Sequence, residues 1–275
     1  MNESQAVTRA VVLARGLGTR MRRAASGAQI DAAQAAVAET GLKAMIPVGR
    51  PFLDHVLGEL ADAGFRKICL VIGPEHDVVR EYYGGKVRLD RLRVEFAVQA
   101  EPRGTADAVL AAEEWAAGEP FIVVNSDNLY STEALAALRG APAPALVGFD
   151  REALVRGGNV TAERIASFAL LDVDAEGCLR RIVEKPDAAE RAALGAAAMV
   201  SMNCWLFDEG IFTACRAIPL SARGELELPM AVQWSIDREG AKFAVVRSTA
   251  AVLDLSGRDD IPAVAALLSD RDVRL

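Results

Sequence analysis

Ala10-Val11-Val12-Leu13-Ala14-Arg15-Gly16-Leu17-Gly18-Thr19-Arg20-Met21 is an apolar, β-branched run that breaks into two glycines, a hydroxyl and two guanidinium groups. The run reads as a buried strand, and the residues after it as a phosphate-binding loop. Glycine lets the backbone take positive φ and approach a ligand closely, so successive N–H groups can converge on phosphate oxygens, while Arg20 supplies a forked, permanently charged donor. A strand of Val and Leu holds such a loop at the carboxyl edge of a sheet, where open α/β folds bind ligands. An ordinary tight strand-to-helix turn would account for the same two glycines. Two other phosphate loops fit less well: a dinucleotide fingerprint needs a third glycine where Met21 stands, and a P-loop needs Gly-Lys-Ser/Thr, which is absent here.

Outward from that loop, apolar runs alternate with helical patterns: strands over 10–14, 67–72, 94–99 and 121–125, and helices over 51–63, 75–83 and 106–115. The alternation predicts βαβ units, hence an α/β fold with a Rossmann-like, mixed but mostly parallel sheet flanked by helices. Ala141-Pro142-Ala143-Pro144 is a rigid break, after which the runs 168–173, 178–183, 200–207 and 243–247 read as strands of a mixed sheet. We take 1–275 as one unit, with a nucleotide-binding half over about 7–145 and a substrate half over about 146–275. The Ala-rich segment 24–40 carries Asp31 as a plausible N-cap, a helix over 32–39 and Gly41 as its stop. It reads either as a surface helix or as a lid over the nucleotide.

The totals bound the function classes. The chain has 275 residues, 52% of them hydrophobic, enough for a sizeable core. A net charge of −7 argues against a nucleic-acid or membrane surface, so any bound polyanion must be held by locally placed cations. Met1 to Ala6 are polar without an apolar leader, and no run reaches the ~18 apolar residues of a membrane span, which predicts a cytoplasmic protein. Cys69, Cys178, Cys204 and Cys215 are widely spaced, and with only His55 and His76 as companions they read as free thiols rather than disulfides or a zinc site.

Several later stretches carry chemistry. Lys43 opens Lys43-Ala44-Met45-Ile46-Pro47-Val48-Gly49-Arg50-Pro51-Phe52, either as an exposed helix-end lysine or as a second phosphate cation. Gln99 ends a strand before Pro102-Arg103-Gly104-Thr105; a primary amide offers a donor and an acceptor side by side, which suits the O4 and N3–H of uracil or thymine. The apolar strand Phe121-Ile122-Val123-Val124 runs into Asn125-Ser126-Asp127, and Ala251-Val252-Leu253-Asp254 repeats that arrangement far along the chain. Each aspartate could simply close an Asx-turn. Glu184-Lys185-Pro186 ends an alternating strand that comes after the hairpin signal Asp174-Ala175-Glu176-Gly177.

Taken together, the string Gly-x-Gly-Thr-Arg-Met after an apolar strand, the Lys43 segment, the Gln99 segment, the two aspartate strands and Glu-Lys-Pro resemble the sugar-1-phosphate nucleotidyltransferases, the enzymes that make nucleotide sugars. The resemblance implies the nucleotide-diphospho-sugar transferase type of fold, transfer of a nucleotidyl group from an NTP to a sugar 1-phosphate, and Mg²⁺ as cofactor. It implies that Ala14, Gly16, Leu17, Gly18, Thr19 and Arg20 hold the triphosphate and that Gln99, Gly104 and Thr105 read the base, with UTP or dTTP favoured. Arg20, Lys43, Asp127 and Lys185 would be catalytic, Asp127 and Asp254 would hold the metal, and Ser167, Glu184, Lys185, Ser201 and Asn203 would line the sugar. The resemblance admits a homo-oligomer. Several positions depart from the family pattern: Arg15 replaces a small residue and would add a cation beside the phosphates, Ser167 stands where a glycine approaches the sugar, and Ser201 and Asn203 replace an asparagine and a glycine. Alternatives of the same type are guanylyl or cytidylyl transfer; one of another class is a catalytically silent relative that senses nucleotide sugars.

Overall fold

The computed structural model describes residues 7–23 and 29–275. Met1 to Ala6, and residues 24–28 of the Ala-rich segment, lie outside the described residues. The chain opens with strand β1 (Arg9–Leu13), a short hairpin of β2 (Pro47–Val48) and β3 (Arg50–Pro51), then β4 (Lys67–Ile72), β5 (Arg93–Val98), β6 (Phe121–Asn125) and β7 (Asn128–Tyr130). It continues through β8 (Ala145–Phe149), β9 (Leu170–Val173), β10 (Leu179–Val183), β11 (Val200–Phe207), β12 (Ala244–Ser248) and β13 (Val252–Asp254). Nine of these make one sheet in the order β10-β9-β11-β6-β1-β4-β5, with β8 joining β11 to β12. Strands β6, β1, β4 and β5 are parallel, while β11 runs antiparallel to β6.

The chain leaves β1 toward β4 on one side and later reaches β6 on the other, so the direction of winding changes beside β1. Ligands of open α/β sheets sit at such a point, outside the carboxyl ends of the strands. The register brings those ends together: Leu13 lies opposite both Val71 and Asn125. The ladder runs on past the strands, with Ala14 N–H on Val71 O at 2.8 Å, Ser126 N–H on Leu13 O at 3.1 Å and Gln99 N–H on Ile72 O at 2.9 Å. The glycine loop, Gln99 and Asp127 therefore share one edge.

Successive apolar residues of β1, β4 and β6 alternate between two apolar layers, as strands covered on both faces require. One layer is built on Phe52–Asp62, a helix expected from its apolar period and buried almost all round. The other holds Trp205, Phe207, Phe121 and Phe212, with the Phe121 and Phe212 rings stacked at 5.5 Å. Asp54 is wholly buried inside the first helix, a position that costs several kcal/mol unless every oxygen is met. It is met: Arg50 Nε donates at 2.7 Å, Tyr82 Oη at 3.0 Å and Tyr83 Oη at 2.7 Å. This cluster ties the hairpin that continues from Lys43 to the core. It also explains why the helix expected over 75–83 stops at Glu81 and opens into a wide turn over Tyr82–Lys86, which carries both tyrosines.

Other differences have local causes. The helix expected over 106–115 is two pieces, Thr105–Leu110 and Glu113–Ala116. Strand β8 begins directly after the Ala-Pro break, where alternation is too short to announce it. The expected helix of the Ala-rich segment is present as Ala32–Thr40 with an Asp31–Gln34 capping box. All four cysteines are free, and three are buried.

His55 and His76 are both held below the ordinary imidazole value of 6.5, chiefly by burial, against the Val48 carbonyl for His55 and the Glu75 carboxylate for His76. Between the lowered values and 6.5 the unfolded chain binds protons that the folded chain refuses, so this contribution is complete above 6.5 and is lost as pH falls through the folded values. The melting temperature is expected to drop as pH goes from about 7 to about 5.5. A melting temperature flat across that interval would contradict the burial of these rings.

Candidate active site

The loop after β1 is shaped by one glycine. Gly18 sits in the left-handed region at φ 59°, and a Cβ there would overlap the Gly41 carbonyl oxygen and stand 2.6 Å from Gly41 Cα. Gly41, itself at φ 80°, ends the Ala32–Thr40 helix and accepts from Lys43 N–H through its carbonyl at 2.9 Å. Two glycines in contact thus set the loop beside the turn that presents Lys43. Gly16, Leu17, Thr19 and Arg20 are exposed, and Arg20 has no ion pair among the described residues. They face a cleft of about 390 Å³, lined also by Lys43, Gln99, Gly104 and Asp127.

Lys43 Nζ is 2.8 Å from Asp127 Oδ2, both side chains about one-fifth exposed. Asp127 lies just beyond β6, and its carbonyl accepts from Leu255 N–H at 2.8 Å. Strands β7 and β13 pair antiparallel with Asn128 opposite Asp254, so the second carboxylate comes to the end of the same turn. Asp254 is buried. Asn159 grips its backbone at both groups, Nδ2 donating to Asp254 O at 2.7 Å and Oδ1 accepting from Asp254 N–H at 2.8 Å. Burial, and then the Asp127 charge, push the Asp254 carboxyl above the usual range, against the Ser256 hydroxyl and the Arg164 guanidinium. Arg164 Nη2 lies 3.2 Å from Asp254 Oδ1 but off the line of its N–H bonds, and that oxygen has no hydrogen-bond donor.

At the other end of the cleft, Gln99 differs from the simple donor-acceptor pair. Its Nε2 donates to Gly104 O at 3.0 Å and to Asp107 Oδ2 at 2.8 Å, which leaves Oε1 as the free group. Gly104, at φ 123°, passes so close to Leu226 that a Cβ would stand 2.6 Å from its nitrogen. Two backbone bonds, Leu226 N–H to Arg103 O and Ala106 N–H to Leu226 O, and Thr105 Oγ1 accepting from Leu228 N–H, lace the two segments together. Arg15 also lines this cleft, but its guanidinium is already engaged by protein groups. It is buried, its Nε donates to Gln99 O at 3.2 Å, and its Nη1 lies 2.9 Å from Glu75 Oε1, an ion pair without hydrogen-bond alignment.

Later in the chain a second set comes together around the end of β10. Glu184 is raised above the ordinary carboxyl value by burial and then by Glu227, while Arg223 and Lys185 oppose the shift. Arg223 meets Glu227 through Nε at 3.0 Å and Nη2 at 3.0 Å. Lys185 is left-handed at φ 45°. So is Asn203, at φ 57°, where β11 slips register between Ser201 and Trp205. The resemblance puts glycine at that position, and asparagine is among the few other residues that tolerate it. Ser167 is exposed and its Oγ donates to Arg164 O at 2.7 Å.

Sequence reading missed Arg164, Asn159, Asp107 and Glu75. Only the Thr161 cap before Arg164 carries a local signal; the partners of the others lie up to 95 positions away.

The model of the nucleotidyl transferase family matches residues 35–266. A UTP–glucose-1-phosphate uridylyltransferase, AglF, of Haloferax volcanii is 26% identical over 91% of this chain and 92% of its own length. A glucose-1-phosphate thymidylyltransferase of an Actinoplanes species is 29% identical over 90% of this chain and 73% of its own. The bifunctional protein GlmU of Methanococcus vannielii is 26% identical over 83% of this chain, which spans 47% of that longer protein. Among solved structures, a UDP-glucose pyrophosphorylase complexed with UDP-glucose superposes with a TM-score of 0.75 over 96% of this chain and 100% of its own, at 16% identity. The fold is that of the nucleotide-diphospho-sugar transferases.

Proposed function

The chain belongs to the nucleotidyl transferase family, and from that premise we propose that it transfers a nucleotidyl group from UTP or dTTP to a sugar 1-phosphate, giving a nucleotide sugar and pyrophosphate. The observation that carries the reading is the convergence of a glycine loop, Arg20, Lys43, Asp127 and Asp254 on one edge of the sheet. A phosphate oxygen of the sugar 1-phosphate attacks the α-phosphorus in line, and the bond from that phosphorus to the bridging oxygen of pyrophosphate breaks. Such transfers need positioning and charge neutralisation rather than a covalent intermediate. Arg20 and Lys43 neutralise the α-phosphate, and Lys185 orients the attacking phosphate. Glu184 accepts from sugar hydroxyls, with Ser167, Ser201 and Asn203 around the ring.

Asp127 and Asp254 are the residues that would hold a divalent cation. The fit rests on Asp254 Oδ1, a buried carboxylate oxygen without a donor, next to a second carboxylate: hard oxygens of the kind Mg²⁺ takes. Mg²⁺ bound there would supply positive charge to the α-phosphate oxygens. Among the described residues no group of three or more His, Cys, Asp or Glu could hold a metal, so phosphate oxygens and water would complete its shell.

The choice of UTP or dTTP rests on Gln99. With both amide hydrogens committed to Gly104 and Asp107, its free Oε1 is an acceptor for the N3–H of uracil or thymine. No helix among the described residues is long and apolar enough to cross a membrane, and a cytoplasmic setting fits the substrates. The test is pyrophosphate release with Mg²⁺ across the common NTPs and a panel of sugar 1-phosphates. One productive pair with UTP or dTTP is expected. Turnover only with GTP or CTP would overturn the assignment of the base, and nucleotide binding without turnover on any sugar would favour a sensing relative.

A further inference from the structure

Each carboxylate proposed for the metal already has a cation of its own. Lys43 Nζ lies 2.8 Å from Asp127, and Arg164 Nη2 lies 3.2 Å from Asp254. Arg164 comes from the short helix Ala162–Ile165 capped by Thr161, and its Nη1 is held 2.6 Å from Asp260 Oδ1. Its anchor is therefore Asp260, with Nη2 turned to Asp254 as a charge and not as a hydrogen-bond donor, which leaves the Asp254 oxygen open to a further ligand. We propose that Arg164 is the resident counter-cation of Asp254 and sets the order of loading, so that a divalent cation is taken up with the nucleotide and not ahead of it. The inference rests on the metal role of Asp127 and Asp254 given above.

Local charge imposes this order. Asp127, Asp254 and Asp260 face one ammonium and one guanidinium, so a free divalent ion meets a largely neutralised cluster with one net negative charge, and both resident cations sit at ion-pair distance from the oxygens it needs. A cation that arrives on a triphosphate brings its own negative charge, and Lys43 then has phosphate oxygens to turn to. Arg164 can yield Asp254 without being freed, because Asp260 keeps it. Asp254 does not depend on Arg164 for its place, since Asn159 holds its backbone on both sides. Removing the guanidinium should thus take away a competitor and leave the ligand where it is.

Mn²⁺ is the probe, with the free ion counted by its electron paramagnetic resonance signal, for wild type, Arg164→Met, Arg164→Gln and Arg164→Lys, each without nucleotide and with UTP or dTTP. Wild type is expected to bind Mn²⁺ weakly alone and much more tightly with nucleotide. Arg164→Met and Arg164→Gln should tighten nucleotide-free binding by about tenfold or more, the scale on which residues behind a ligand tune metal affinity, and Arg164→Lys should stay near wild type. Tight nucleotide-free binding by wild type overturns the inference without any variant, as does unchanged or weaker binding by a folded Arg164→Met or Arg164→Gln. Asp254→Asn separates the two levels. If it abolishes the nucleotide-dependent uptake, the metal role of Asp254 stands whatever the Arg164 variants do; if it leaves that uptake intact, the metal role fails and the inference with it.

Discussion

Lys43→Ala is expected to lower kcat by about 10²- to 10³-fold, the usual loss on removing one preorganised charge donor from a site of this kind. Lys43 is the cation at the junction of the loop and the carboxylates, 2.8 Å from Asp127. On the proposed mechanism its loss removes charge from the α-phosphate, and it leaves Asp127 unbalanced. The two effects fall chiefly on the transition state, so kcat should fall far more than KM rises. The fold should survive. The side chain is partly exposed, and its turn is held by backbone bonds from Lys43 N–H to Gly41 O and from Ile46 N–H to Lys43 O. Steady-state kinetics and thermal melting check both halves of the claim: near-normal kcat would remove Lys43 from the chemistry, and a collapsed melt would make its role structural.

Gly18→Ala is expected to cost about 10²-fold or more in nucleotide affinity, because a loop displaced by an ångström no longer aims its N–H groups. Two penalties act at once. The left-handed backbone at φ 59° costs a residue with a Cβ roughly 1–2 kcal/mol. The new Cβ would also run into the Gly41 carbonyl, which is backbone and cannot swing aside. Relief must come from moving the loop, Gly41 or the Lys43 turn behind it. Gly16→Ala is the control, for a Cβ there meets nothing within 4 Å, so it should melt like wild type. Calorimetry with UTP and melting curves on both variants would decide; equal behaviour of the two would mean that the glycine contact does not set the loop.

The parallel core was legible in the sequence because β1, β4, β5 and β6 are short apolar runs separated by helical ones, a local pattern with a local cause. The family was legible for a similar reason, its loop and its Glu-Lys-Pro triplet being contiguous. The arrangement around Asp254 was not. It depends on β13 crossing to β7 and on Asn159 and Arg164 reaching it across up to 95 positions of sequence, contacts that leave no periodic trace. Arg15 differs in another way. A cation in a phosphate loop suggests a phosphate partner, yet the backbone turns this one toward the end of β5, where the Gln99 carbonyl and Glu75 take it up. The direction of a side chain is a tertiary fact even where its chemistry is plain.

In the main sheet the earlier and later parts of the chain meet at a strand pair in which Phe121, Ile122 and Val123 of β6 face Phe207, Leu206 and Trp205 of β11. Neither half closes its own sheet at that line. Were the chain severed near the Ala-Pro break, each fragment would carry a bare, apolar strand edge in the middle of its sheet, the kind of edge that templates stacking with foreign copies. Each half thus covers a strand edge of the other that would otherwise be open to pairing with a foreign strand.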